Sequence, residues 1–152
     1  MAVPAHNLYL RNSQVYDETG DPIYGLLEAR AIFKTQTEDV YRLQKGSVKD
    51  IVGFNIEVTL TITGQNAALK YFIIDQIVQG KTPIIPMLIG EQWDKELDRK
   101  ERVRLTNIRF TPEELELFAA KAEGNDKSQY EIKGETNDKP DYLDRFPDYE
   151  EN

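Results

Sequence analysis

Hydrophobic and polar positions alternate most strictly between Val52 and Ile62. Val52, Phe54, Ile56, Val58, Leu60 and Ile62 are apolar, and Gly53, Asn55, Glu57, Thr59, Thr61 and Thr63 between them are not. A period of two places the two sets on opposite faces of a β-strand. β-branched Val, Ile and Thr dominate, as strands favour. Such a strand spans about 35 Å, roughly twice the usual length. It predicts a long partner on each side, since an exposed edge of this length invites pairing with another chain.

The flanking segments follow the same logic. Asp17-Glu18-Thr19-Gly20-Asp21-Pro22, set between Gln14-Val15-Tyr16 and Ile23-Tyr24, predicts a turn within a hairpin. Leu27 to Thr37 alternates and reads as a half-buried strand, and Gln44 to Asp50 reads as a polar loop. Asn66 and Gly80 bracket a helix over about 66–79. That helix carries two apolar stripes. Leu69, Phe72, Ile73 and Ile77 form one, and Ala67, Tyr71, Ile74 and Val78 form the other, a wider arc than a surface helix needs. Either the helix is deep in the fold, or its second stripe meets another subunit.

Further on, Pro83 and Pro86 demote Pro83–Gly90 to an edge or bulged strand, and Glu91–Lys100 reads as a charged loop. In Arg102–Phe110 the apolar positions switch from Val103 and Leu105 to Ile108 and Phe110, which predicts a bulge near Thr106-Asn107. Thr111-Pro112-Glu113-Glu114 followed by Leu115, Phe118, Ala119 and Ala122 has helical spacing. Gln129–Glu135 alternates again, with Tyr130 and Ile132 inward. The expected fold class is mainly β (β+α), in a single domain over 1–152.

Composition narrows the function more than the fold. The net charge is −8, and seven acidic against two basic residues lie between Glu135 and Asn152, so the tail over about 136–152 is acidic. A nucleic-acid-gripping protein would show a basic patch instead. No apolar run suits a membrane span, and the first ten residues do not read as a secretory leader. With no cysteine and the single histidine His6, no nucleophile–base pair is suggested, so no catalytic residue, metal site or cofactor is assigned. Asp94 with Asp98, or Glu113, Glu114 and Glu116, lack calcium-loop spacing and read as solvated charge.

The order of elements then carries a resemblance. A strand leads into Thr37-Glu38-Asp39-Val40-Tyr41. The long strand follows, and then one helix ending in Gly80-Lys81-Thr82-Pro83. Glu101-Arg102-Val103-Arg104-Leu105, Asn107-Ile108-Arg109-Phe110 and Asp141-Tyr142-Leu143-Asp144 close the series. Over about residues 26–146 this resembles the tail tube proteins of contractile phages and phage-like bacteriocins. The resemblance implies a β-sandwich or barrel with one flanking helix. Hexameric rings would stack into a hollow tube in the virion tail, assembled in the host cytoplasm. The implied partners are further copies of the chain, a tail sheath protein and a tape measure protein, with DNA passing through the lumen unbound and no membrane involved.

The resemblance also suggests residue roles. Asn55, Glu57, Thr59 and Thr61 would face the lumen. Glu38, Asp39, Tyr41, Arg42, Lys45 and Lys49, in a loop over about Gln36–Ile51, would touch the next ring. Tyr71, Ile74 and Val78 would meet a neighbouring subunit. It further implies a strand at Leu115–Glu123, against the helical spacing found there. The tube of a related contractile injection or type VI-like secretion system is an alternative. A monomeric β-barrel holding a ligand against the apolar face of Val52–Ile62 is another, of a different class.

Overall fold

The structure, a computed structural model, describes residues 3–4, 8–43, 46–146 and 149–150. Among the described residues, nine strands and one α-helix follow one another: β1 (Val3–Pro4), β2 (Ser13–Tyr16), β3 (Leu26–Arg42), β4 (Gly46–Thr63), α1 (Ala68–Val78), β5 (Ile84–Asp94), β6 (Arg99–Phe110), β7 (Gln129–Thr136), β8 (Asp141–Asp144) and β9 (Tyr149–Glu150). Seven strands hydrogen-bond in the order β2-β5-β6-β7-β4-β3, with β8 on β6, while β1 and β9 form a separate parallel pair. The mainly-β fold with one helix matches the expectation. Closure into a barrel does not, because the sheet ends on β2 and β3. The chain divides into two compact units, one of Gly25–Ile84 and Ile108–Asp138, the other of the remaining residues.

In the first unit, the alternation of β4 becomes a core. Ile56, Val58, Leu60 and Ile62 are buried, as are Tyr130 and Ile132 of β7, Ile108 and Phe110 at the end of β6, and Ile73 of α1. Burying one such side chain contributes roughly 1.5–3 kcal/mol. β7 pairs antiparallel with β4 from Ile56 to Thr63, and its Gly134 lies against the Phe110 ring, leaving no room for a Cβ. Helix α1 is tied in at its start, where the Tyr130 hydroxyl donates to the Asn66 carbonyl at 2.6 Å and the Lys70 ammonium sits over the Tyr130 ring. It stops as expected. Gly80, at φ 78°, sends its N–H to the Ile77 carbonyl, and Lys81 reaches the Gln76 carbonyl.

Several boundaries differ from the pattern-based expectation. The expected loop over Gln36–Ile51 is instead the outer half of a long hairpin, with β3 and β4 paired from Leu26↔Ile62 to Arg42↔Gly46. Ladder hydrogen bonds override the polar composition there. Residues 111–128 are neither helix nor strand. The carbonyls of Glu116 and Leu117 accept from Lys70 Nζ at 3.5 Å, and Leu117 and Phe118 are exposed, so no buried stripe exists to stabilise a helix.

The second unit pairs β2 with β5 and β8 with β6. The Asp17–Pro22 turn is present, with Gly20 N–H donating to the Asp17 carbonyl and a single bridge Tyr16↔Pro22. β5 has β6 on one side and, over Ile89–Gln92 alone, β2 on the other, so β2 does not pair with the stretch around Pro86 that the two-proline argument assigned to an edge. β5 runs through Glu91 to Asp94, where a loop was expected, and a four-residue turn then leads into β6. The change of face in β6 does occur at Asn107, which takes a left-handed conformation (φ 53°). The acidic tail has a structural part. Arg102 pairs with Asp144 at 2.5 Å and Arg104 with Asp141, pinning β8 along β6.

Two substitutions test this packing by chemical denaturation. Val58→Asp places an unpaired charge in the core and should cost several kcal/mol, enough to unfold the chain; a folded Val58→Asp protein would invert the assigned faces. Gly134→Ala forces Phe110 to move and should cost about 1–3 kcal/mol.

Candidate functional site

β3 and β4 make a hairpin longer than anything available to flank it. Seventeen residues of β3 span about 56 Å. Among the described residues, no strand pairs with its outer edge. β7 reaches only Ile56 of β4, so Gly46–Asn55 has β3 alone for a neighbour. This outer half is a two-stranded ribbon with free backbone N–H and C=O groups along both sides. Such a ribbon is marginal in water by itself and is a template for strand addition.

Apolar surface continues past the core onto this ribbon. Phe33 and Phe54 stack with ring centroids 5.1 Å apart, and Phe33 remains 55% exposed. Val52, expected inward with its alternation partners, is 58% exposed because β7 ends before reaching it. The second stripe of α1 is also open. Tyr71 is 68% and Val78 79% exposed, and Ile74 is half-buried; with Phe72 and Asp75 they line a shallow hollow. Phe72 and Ile77, assigned to the inner stripe by spacing, are partly exposed too, and only Ile73 of the helix is fully buried. Strand length against available partners was the signal for the exposed Phe33, Ile51 and Val52.

The opposite face of the sheet is polar. Asn55, Glu57, Thr59 and Thr61 share it, as expected from the alternation, and none of them is buried. Their cross-strand partners on β3 are Lys34, Ile32, Arg30 and Glu28; on β7, Glu135, Lys133 and Glu131 lie opposite Glu57, Thr59 and Thr61. Lys34 Nζ meets Glu57 Oε2 at 2.5 Å. The Lys34 ammonium, through its hydrogen bond and its charge, together with the more distant Lys133, holds the Glu57 carboxyl below its ordinary 4.5.

At the outer end of the hairpin, Glu38 stands opposite Asp50, Asp39 opposite Lys49, and Tyr41 opposite Ser47. Arg42 bonds Asp50 at 2.6 Å. Of the ring-contact candidates, Glu38, Asp39, Tyr41, Arg42 and Lys49 are therefore strand residues on one ribbon; Lys45, like His6, lies outside the described residues. Two of the carboxylates weighed for a metal have other work: buried Asp94 accepts from the Glu96 and Leu97 N–H groups, and Asp98 accepts from the Trp93 indole. Among the described residues no group of three His, Cys, Asp or Glu side chains is placed to hold a metal ion, and no helix is long and apolar enough to cross a membrane.

No protein-family model and no curated protein sequence matches the chain. Solved structures do. A chain of the sheath/tube terminator of an extracellular contractile injection system (PVC) superposes with a TM-score of 0.68 at 12% identity, over 91% of this chain and 98% of that one. The fold is shared with chains of phage-tail-like particles. A chain of the tube-terminating cap of the anti-feeding prophage gives 0.64 at 12% identity, over 95% of each chain. A chain of the native gene transfer agent virion gives 0.56 at 16% identity, over 91% of this chain and 99% of that one.

The Glu57–Lys34 contact has a pH signature. A depressed carboxyl pKa means that Glu57 contributes its stabilisation fully above its ordinary 4.5 and loses it as pH falls through the lower folded-state value. Lys34→Met should move the Glu57 titration, followed by NMR, back up toward 4.5.

Proposed function

We infer that the chain is a structural subunit of a phage-tail-like tube, in which copies join laterally into a ring and rings stack into a conduit. The observation that carries this reading is the free outer edge of β3 with the bare outer ribbon beside it, in a fold that matches tail-particle chains over nearly their whole length. A neighbouring copy that pairs with the β3 edge satisfies its backbone groups, and closing the ring removes every edge. The apolar stripe Tyr71, Ile74 and Val78 then meets a neighbouring subunit. The ribbon residues Glu38, Asp39, Tyr41, Arg42 and Lys49, together with Lys45 outside the described residues, reach the next ring, and Asn55, Glu57, Thr59 and Thr61 face the bore. Sheath and tape measure proteins are the further partners of such a tube. Nothing in this role calls for catalysis.

A second reading, a terminator that caps a tube, is favoured by the likeness to chains from two terminating assemblies. Electron microscopy of the concentrated protein separates the two. A tube subunit should polymerise into tubes of indefinite length, a terminator should stop at single rings, and a compact monomer at every concentration would refute both.

Val78→Asp tests the lateral surface. An exposed position should tolerate the charge within about 0.5 kcal/mol of stability by denaturation, yet the variant should fail to form rings in the same micrographs. Normal rings would remove the helix from the interface.

A further inference from the structure

Residues 111–128 join β6 to β7 without forming helix or strand. A structureless connection longer than about 12–15 residues is uncommon in a compact unit, and such loops usually bind something. This one is fixed at both ends. The Phe110 N–H donates to the Pro83 carbonyl at 3.0 Å, and the Gly64 N–H donates to the Ser128 carbonyl at 2.9 Å. Between those points every residue except Pro112 and Leu115 is exposed. Midway stand two large apolar side chains, Leu117 at 67% and Phe118 at 86% exposure. Lys70 Nζ donates to the Glu116 and Leu117 carbonyls at 3.5 Å, so α1 holds the loop by its backbone and leaves those side chains in water. The hollow on α1, lined by Tyr71, Phe72, Ile74, Asp75 and Val78, stays open as well. The chain thus carries an apolar projection and an apolar hollow, and does not fill one with the other.

We propose that the Leu117–Phe118 pair of one copy docks in the α1 hollow of the next, making the head-to-tail contact around a ring. This rests on the ring reading and adds which surface of the neighbour α1 receives. A ring of more than two identical chains joins unlike patches, because each copy meets its two neighbours through different surfaces. The hollow is one such patch, and two hollows placed face to face would leave both unfilled. The loop offers the complementary shape, a projecting aromatic side chain of the kind enriched in the desolvated centre of interfaces. The hollow calls for an apolar group rather than a cation, since Asp75, the one carboxylate lining it, already accepts from the Gln79 amide at 3.0 Å. Both patches lie in one compact unit, so docking needs no movement between units. The loop is fastened at both ends and by Lys70, so little freedom is lost on binding.

The chain has no cysteine, so introduced thiols report contacts without interference. Ala119→Cys protein and Asp75→Cys protein, which both keep Leu117, Phe118 and the apolar lining, are mixed, concentrated and oxidised. On a non-reducing gel, with a size tag on one variant, the mixed dimer should be the main product and both homodimers nearly absent. A prevailing Asp75→Cys homodimer would mean helix against helix. In a chain carrying both substitutions, oxidation should give covalent multimers, whereas a monomer closed on itself would mean that the loop fills its own hollow. Either result would overturn the proposal. Phe118→Asp should keep the wild-type denaturation midpoint, because the position is exposed, and lose assembly; normal assembly by this variant would also overturn it. Microscopy of the same samples tests the ring reading separately. Rings without the mixed disulfide sink the docking contact and leave that reading standing. The mixed disulfide in open chains, without rings, keeps the contact and sinks the ring, and the absence of both refutes both.

Discussion

Backbone hydrogen bonding along the β3–β4 hairpin is the constraint from which most of the remaining structure follows. An extended strand has to place its N–H and C=O groups somewhere. Sixteen of the eighteen residues of β4 find a partner on β3, but β7 supplies only eight on the other side. The core forms where the sheet has this third strand: Ile56, Val58, Leu60 and Ile62 all lie within the reach of β7. Beyond Ile56 no third strand covers the apolar side, so Phe54 is only half-buried and Val52 and Ile51 are exposed. One ladder therefore yields both a folded core and an unfinished sheet.

The two faces of that sheet have separate tasks. On the apolar side, stability comes from burial, and the surplus apolar area, Phe33 with Phe54 and the open stripe of α1, is larger than one chain can cover. On the polar side almost nothing is buried, and the ion pairs Lys34–Glu57 and Arg30–Glu28 are too exposed to add much stability. Their contribution is to the character of the surface. The division costs no additional elements, since a strand alternates its side chains in any case.

Much of this was legible in the sequence because it rests on local periodicity. The buried set of β4, the polar set opposite, the inward Tyr130 and Ile132, the Gly80 stop of the helix and the change of face in β6 near Asn107 all follow from spacing alone. Errors arose where tertiary pairing decides. Gln36–Ile51 looks like a loop by composition, with Glu38, Asp39 and Lys49, but the pairing of β3 with β4 continues through it. Thr111–Glu123 has the cap and spacing of a helix but no surface on which to bury Leu117 and Phe118, so it takes neither the helical nor the strand form. Spacing likewise could not show that β5 gains β2 as a second neighbour from Ile89 to Gln92, beyond Pro86. Of the surface residues, the four polar positions of β4 and the open helix stripe could be read from the pattern. Their cross-strand company on β3 and β7 could not, because register between distant segments is not written in either one.

The hairpin also contains a shift of register between Gln36 and Thr37, where Val52 is the additional residue on β4. On β3 the even-numbered residues from Glu28 to Arg42 stay on the polar side. On β4 the polar side passes from odd numbers above the shift to even numbers below it, so Asp50 joins Glu38 there. Parity thus becomes a property of the hairpin. Removing Val52 would take out the bulge and leave the β4 side chains between Gly46 and Ile51 on the sides they already occupy, whereas inserting one further residue there would turn them to the opposite side and gaining two would not. Length variation in this ribbon therefore keeps its facing either by losing the bulge residue or in steps of two.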